Sequence, residues 1–158
     1  MISKFSTVYA GHVDLGDMGQ AATPANDRRY SNAHLASVFD KTEAIASCMD
    51  EHGYHILWLA EHHFQHEGYE CIPNILMEAV HLAHVTRHLR IGCGFNITPM
   101  WHPLRLAEDF ATADILTGGR TVFASAAATT RERSRRSAAR CSTPRRTGSS
   151  SRSRWTSS

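Results

Sequence analysis

The sequence has no run approaching the roughly 20 consecutive apolar residues that a membrane span needs. Its first residues, MISKFSTVYAGH, lack an apolar segment followed by a small-residue cleavage site. A cytoplasmic protein is expected. The four cysteines, at 48, 71, 93 and 141, show no CxxC spacing, which disfavours both a disulfide framework and a local thiolate zinc site. No GxGxxG opens a helix, because Gly92 and Gly94 fall inside a strand-like run, so a classical dinucleotide fold is disfavoured. Histidine and acid are scarce toward the C-terminus: all 11 histidines precede Arg120, and of the 15 Asp and Glu only Glu132 follows it.

That last scarcity divides the chain. Residues 1–120 hold 8 basic and 14 acidic residues, a net of −6, whereas residues 121–158 hold 9 Arg and one Glu, a net of +8. The second stretch also carries 10 Ser and 6 Thr, with Phe123 and Trp155 its only aromatics. So few apolar side chains cannot offset the entropy of ordering a chain. The expectation is one ordered domain over 1–120 and a disordered basic tail over 121–158. Arginine interspersed with serine suits a phosphate backbone, but an acidic, His-rich domain is a poor host for such an arm. Nucleic acid is therefore not the expected partner.

Within 1–120 the pattern alternates. Lys4 to Ala10 reads as a strand, followed by a long polar loop. Apolar residues at helical spacing from Ala33 to Glu51 predict a helix, with His52-Gly53 as its stop. Ile56 to Ala60 is a short continuous apolar run, the pattern of a parallel strand buried on both faces. A second helix is predicted from Pro73, with the proline in its first turn, then a strand over Leu89–Ile97. A third helix starts at Pro103 and ends at Gly118-Gly119, and TVFA at 121–124 begins a fourth strand. Repeated strand and helix mean right-handed βαβ units in an α/β fold. Periodicity alone leaves a doubly wound sheet and part of a barrel both open.

In parallel α/β folds, chemistry gathers in the loops that follow the strands. Here those are Gly11–Asn32, Glu61–Ile72 and Asn96–His102, and the second is richest, with Glu61, His62, His63, His66 and Glu67 directly after a strand. Imidazoles there can shuttle protons near neutral pH. His62 and His63 are adjacent, so in an extended segment they point opposite ways and only one faces a given site. AEHHFQH lacks the paired histidines with intervening glutamate that place zinc on a helix, and no metal is expected. His81, His84 and His88 gather opposite most of the second helix's apolar residues, which reads as a solvated face.

The segment WLAEHHF at 58–64, HPLRLAED at 102–109 and TGGR at 117–120 resemble the N-terminal part of the bacterial luciferase-like flavin monooxygenases. The resemblance implies the N-terminal portion of a (β/α)8 TIM barrel that binds reduced flavin and uses dioxygen to oxidise a small organic substrate. It implies FMN as cofactor, with a deazaflavin also compatible, a flavin reductase as supplier, and assembly with an identical or different subunit. His62 then matches the histidine beside the flavin as general acid or base, with His63 its less favoured neighbour. Cys93, Gly94, Asn96 and Thr98 would line the flavin ring, Asn96 at its polar edge.

A complete barrel of this kind takes roughly 250 residues, and the resemblance is followed only to Arg120. An incomplete barrel is expected. A shifted reading frame of the codons for 124–131 is compatible with a glycine-containing strand end of the same family. The tail is accordingly read as disordered or as a frameshifted translation. The alternative to a monooxygenase is a non-catalytic fragment or pseudogene product with a basic tail.

Overall fold

The computed structural model describes residues 1–14, 29–63 and 68–126. In chain order the elements are β1 (Ser6–Tyr9), α1 (Asn32–Glu51), β2 (Ile56–Leu59), α2 (Ile75–Val85), β3 (Arg90–Ile97), a 3-10 turn (Thr98–Met100), α3 (Pro103–Leu116) and β4 (Thr121–Ala126).

Local chemistry starts and stops each helix. The Ser31 side chain caps α1 by accepting from the His34 N–H, and Asn74 caps α2 by accepting from the Met77 N–H at 3.0 Å. Asn74 is thus the cap, and Pro73 lies before it rather than inside the first turn. Pro103 opens α3, where a missing N–H costs nothing, and Gly118 and Gly119 close it at φ of 63° and 78°. The loop into β3 is held by Asp50, whose carboxylate accepts from the backbone N–H groups of Arg87, His88 and Leu89. Arg120 ties the ends of two helices together. Its guanidinium donates to Thr117 O of the α3 cap and to Thr86 O, Thr86 Oγ1 and Ala83 O at the end of α2.

All four strands are parallel and pair in sequence order, β1-β2-β3-β4. Right-handed crossovers between consecutive neighbours place every helix on the same face of the sheet. A doubly wound sheet would reverse its strand order, so the described fold is the first half of a (β/α)8 barrel. The core lies between sheet and helices: Leu57, Leu59, Ile75, Leu82, Leu89 and Ile91 have no exposed surface. Each contributes about 1.5–3 kcal/mol by leaving water.

The other sheet face, which turns inward in a closed barrel, is not covered by the described residues. Register puts Val8, Trp58, Gly92 and Val122 in one row on it, and Val8 is 66% exposed. The expectation that β2 is buried on both faces therefore needs correction, since Leu57 and Leu59 are buried but Ile56 and Trp58 only half-buried. Both-face burial in a barrel needs side chains from facing strands. The domain also extends past Arg120, because β4 pairs with β3 through Ala126. The remaining tail, from residue 127, lies outside the described residues, as do His66 and Glu67.

Candidate functional site

The carboxyl ends of the strands converge around Glu61. Its side chain is 1% exposed and accepts four hydrogen bonds: from His63 Nε2 at 2.7 Å and Trp101 Nε1 at 2.9 Å on one oxygen, and from Asn96 Nδ2 at 3.0 Å and the Ile97 N–H at 3.2 Å on the other. Burial by itself raises the pKa of such a group. The donors from His63, Trp101, Asn96 and Ile97 outweigh it and hold the carboxyl below its ordinary value. Glu61 is a buried anion at neutral pH.

The adjacent histidines part company here. His63 turns to Glu61, while His62 Nδ1 lies 2.8 Å from Glu70 Oε2 and the His62 N–H donates to Ile72 O. Both rings are mostly buried, with side-chain exposures of 20% for His62 and 15% for His63. Glu70 reaches His62 from a left-handed backbone at φ 80°, a conformation that a side-chain-bearing residue keeps only where its surroundings fix it. Those surroundings are two zipped loops: the Cys71 N–H donates to Gly11 O and the Val13 N–H to Gly68 O. Gly11 (φ +80°) cannot carry a side chain, since a Cβ would sit 2.6 Å from Ile72 Cγ1.

The strand β3 residues take different stations. Cys93 is buried in the helix-side core, with its thiol pushed up to about 12 by burial and by the Glu61 charge, so it stays protonated. Gly92 and Gly94 form a floor for Trp58, whose indole lies so close that a Cβ on Gly92 would be 2.2 Å from Cε3. The Gly94–Phe95 peptide is cis. Asn96 is fully buried, and its Oδ1 has no hydrogen-bond partner among the described residues. Thr98 Oγ1 donates to Ala126 O and so joins the end of β3 to β4.

A largely apolar cavity of about 640 Å³, lined by Thr98, Trp101, Leu106, Phe110 and Phe123 among others, lies beside this cluster. Phe123 packs edge-on against Phe110 of α3 at 4.8 Å, which puts the cavity on the helix side of β4. The Trp101 indole stands between cavity and Glu61. Among the described residues no group of three or more His, Cys, Asp or Glu could hold a metal ion, and no helix is long and apolar enough to cross a membrane.

Glu61 was named with its loop but given no role, and Trp101 was not singled out. The available signal for Glu61 is its position two residues before His63, on the same side of an extended segment. For Trp101 the sequence offers none.

A half-barrel with histidines, a buried carboxylate and an unpartnered amide oxygen gathers its polar groups at the carboxyl ends of its strands, where (β/α)8 folds place their functional loops. Residues 16–146 match the family model for luciferase-like monooxygenases, and the chain belongs to that family. The match crosses Arg120, so the family resemblance does not end there. The chain is 34% identical over 83 residues to the oxygenase component of flavin-dependent trigonelline monooxygenase from Acinetobacter baylyi, covering 52% of this chain and 22% of that protein. It is 34% identical over 74 residues to the alkanal monooxygenase alpha chain of Photorhabdus laumondii, covering 47% and 20%. Its fold matches the oxygenating constituent of 3,6-diketocamphane monooxygenase from Pseudomonas putida, solved with FMN, at a TM-score of 0.67 and 18% identity over 85% of this chain and 32% of that one. The chain spans about a quarter of the length of the curated relatives it matches.

Proposed function

We propose that the chain carries the flavin-side half of a luciferase-like monooxygenase site, using reduced FMN and dioxygen on a small organic substrate. The observation that carries this is the His62–Glu70 pair at the carboxyl end of β2. His62 is the general acid or base, and Glu70 fixes its ring and stabilises its charged form. His63, bound to Glu61, supports it from behind. The residues present fit a flavin: the unpartnered Asn96 Oδ1 is an acceptor suited to a ring N–H, and Gly94 adds no side chain of its own to the surface where the Trp58 indole lies. Cys93 backs this surface from the core, and Thr98 braces its far end. When bound, the flavin supplies the two electrons and the oxygen chemistry, while the protein orients it and excludes water. A deazaflavin would use the same contacts.

The description of one relative as an oxygenase component supports a separate flavin reductase as partner, and a cytoplasmic location belongs to the same reading. A second subunit, identical or different, belongs to the same reading. One observation favours a non-catalytic alternative, namely that β1 and β4 are unpaired edges among the described residues.

Titration of reduced FMN against the purified chain, read by flavin fluorescence, separates the two. The monooxygenase reading expects binding, and the alternative expects none. In a turnover-competent preparation with flavin reductase, His62→Ala is expected to lower turnover by roughly 10² with flavin still bound. Unchanged turnover removes His62 from the chemistry.

A further inference from the structure

We infer that a second copy of this chain is the partner of the half-barrel: β4 of each copy pairs in parallel with β1 of the other, closing two four-stranded sheets into one eight-stranded barrel. This names the second subunit of the reading above, but it rests on the sheet edges and not on the flavin.

Among the described residues β1 and β4 each have a single strand neighbour. Sheet edges that stay in water are commonly blunted by charge or proline. Neither device is present here, since Ser6–Tyr9 reads STVY and Thr121–Ala126 reads TVFASA. Both edges carry exposed apolar side chains instead, Phe5 at 59% and Val8 at 66% along one and Phe123 at 49% on the other. Between them runs the inward face, with Val8, Trp58, Gly92 and Val122 in one row. A parallel sheet is ordinarily covered on both faces.

A partner that covers this face and both edges must bring two edges of its own, with strands running the same way and helices on the outside. A second copy meets each condition. A two-fold axis along the barrel sets β4 against the copy's β1 and β1 against the copy's β4, so the order β1-β2-β3-β4 is followed by the same order again. Four strands taken twice make the eight whose side chains just fill a barrel interior. No edge is then left. Antiparallel pairing of β4 with β4, or of β1 with β1, satisfies one edge per copy and leaves the other edge and the inward face in water. In the closed form all strands point one way, so the Glu61 clusters of both copies open at the same end of the barrel.

The test is sedimentation of the full 158-residue chain over a range of concentrations, without flavin. A discrete dimer is expected. A monomer throughout, or an open-ended series of oligomers, overturns the inference. Val8→Lys and Val122→Lys place a charge on the inward face beside the two edges, where closure would bury it. Each is expected to weaken the dimer by roughly tenfold or more with far-UV circular dichroism retained. Met77→Lys charges a residue of α2 that is 72% exposed and away from both edges, and is expected to leave the dimer unchanged. Sensitivity to only one inward substitution means like-with-like edge pairing and overturns the inference. Equal sensitivity to Met77→Lys moves the contact to the helices and overturns it too. Should Val122→Lys not fold, hydrogen exchange of the unaltered chain decides. The amides of Ser6–Tyr9 and Thr121–Ala126 are expected to slow together as concentration rises, and slowing of one strand alone refutes the pairing. A dimer that meets these expectations yet binds no reduced FMN supports the shared barrel, and the flavin reading alone fails.

Discussion

Two glutamates of this domain are almost equally buried and behave in opposite ways. Glu61, at the mouth of the strands, is 1% exposed and its pKa is lowered; Glu78, on α2, is 5% exposed and its pKa is pushed up to about 7. Burial disfavours the charge in both. At Glu61 four donors outweigh it, whereas Glu78 Oε1 has no partner among the described residues. The nearby charges at Glu78 oppose each other: His81 favours its ionisation and Glu43 disfavours it, and those two pair with one another at 2.9 Å. Donor count rather than burial decides whether a buried carboxylate is an anchor or a weak point.

The comparison breaks most sharply at Glu61. Glu61→Leu removes the shared acceptor of donors from His63, Trp101, Asn96 and Ile97, and is expected to cost about 3–5 kcal/mol in urea unfolding at pH 7. A loss below 1 kcal/mol would mean that the network adds little to stability.

Glu78→Gln should act in the reverse direction. The folded-state pKa of about 7 lies above the ordinary 4.5, so the folded protein holds a proton that the unfolded chain releases between those values. Stability is full below pH 4.5, falls as pH rises toward 7 and is flat beyond. The substitution is expected to stabilise by about 3 kcal/mol at pH 8 and to have little effect at pH 4. An equal effect at both pH values would show that Glu78 does not titrate in this range.

Asp50 provides a third, more exposed carboxylate, with three backbone N–H donors. Burial raises its pKa, but the donors from Arg87, His88 and Leu89 prevail and lower it. Its contribution is present above the ordinary carboxylate range and is lost as pH falls through the depressed folded-state value. Asp50→Ala is expected to cost about 1 kcal/mol at pH 7, measured by the same unfolding series. The cost should shrink in acid, in the opposite sense to Glu78→Gln.

Much of the architecture was legible beforehand. The apolar spacing from Ala33 to Glu51 marks α1, Gly118-Gly119 ends α3, and the ILWLA run at 56–60 marks β2. The boundary at Arg120 was less legible, because Thr121–Ala126 is poor in large apolar residues yet pairs with β3 as an edge strand. At the site, the opposition of His62 and His63 follows from their adjacency. That His63 shares the side of Glu61 follows from the same alternation, whereas the arrival of Trp101 and Asn96 at that carboxylate required the fold.

The sequence by itself determined the order of strands and helices, the helix caps, and a family identity resting on short motifs, since these depend on neighbours within a few residues. Only the tertiary structure decided that all three helices lie on one face, because that follows from strand order and crossover hand rather than from periodicity. Only it set apart Glu61 from Glu78. Three of the four donors that keep Glu61 charged lie 35 to 40 residues distant, and no local pattern records whether those donors arrive.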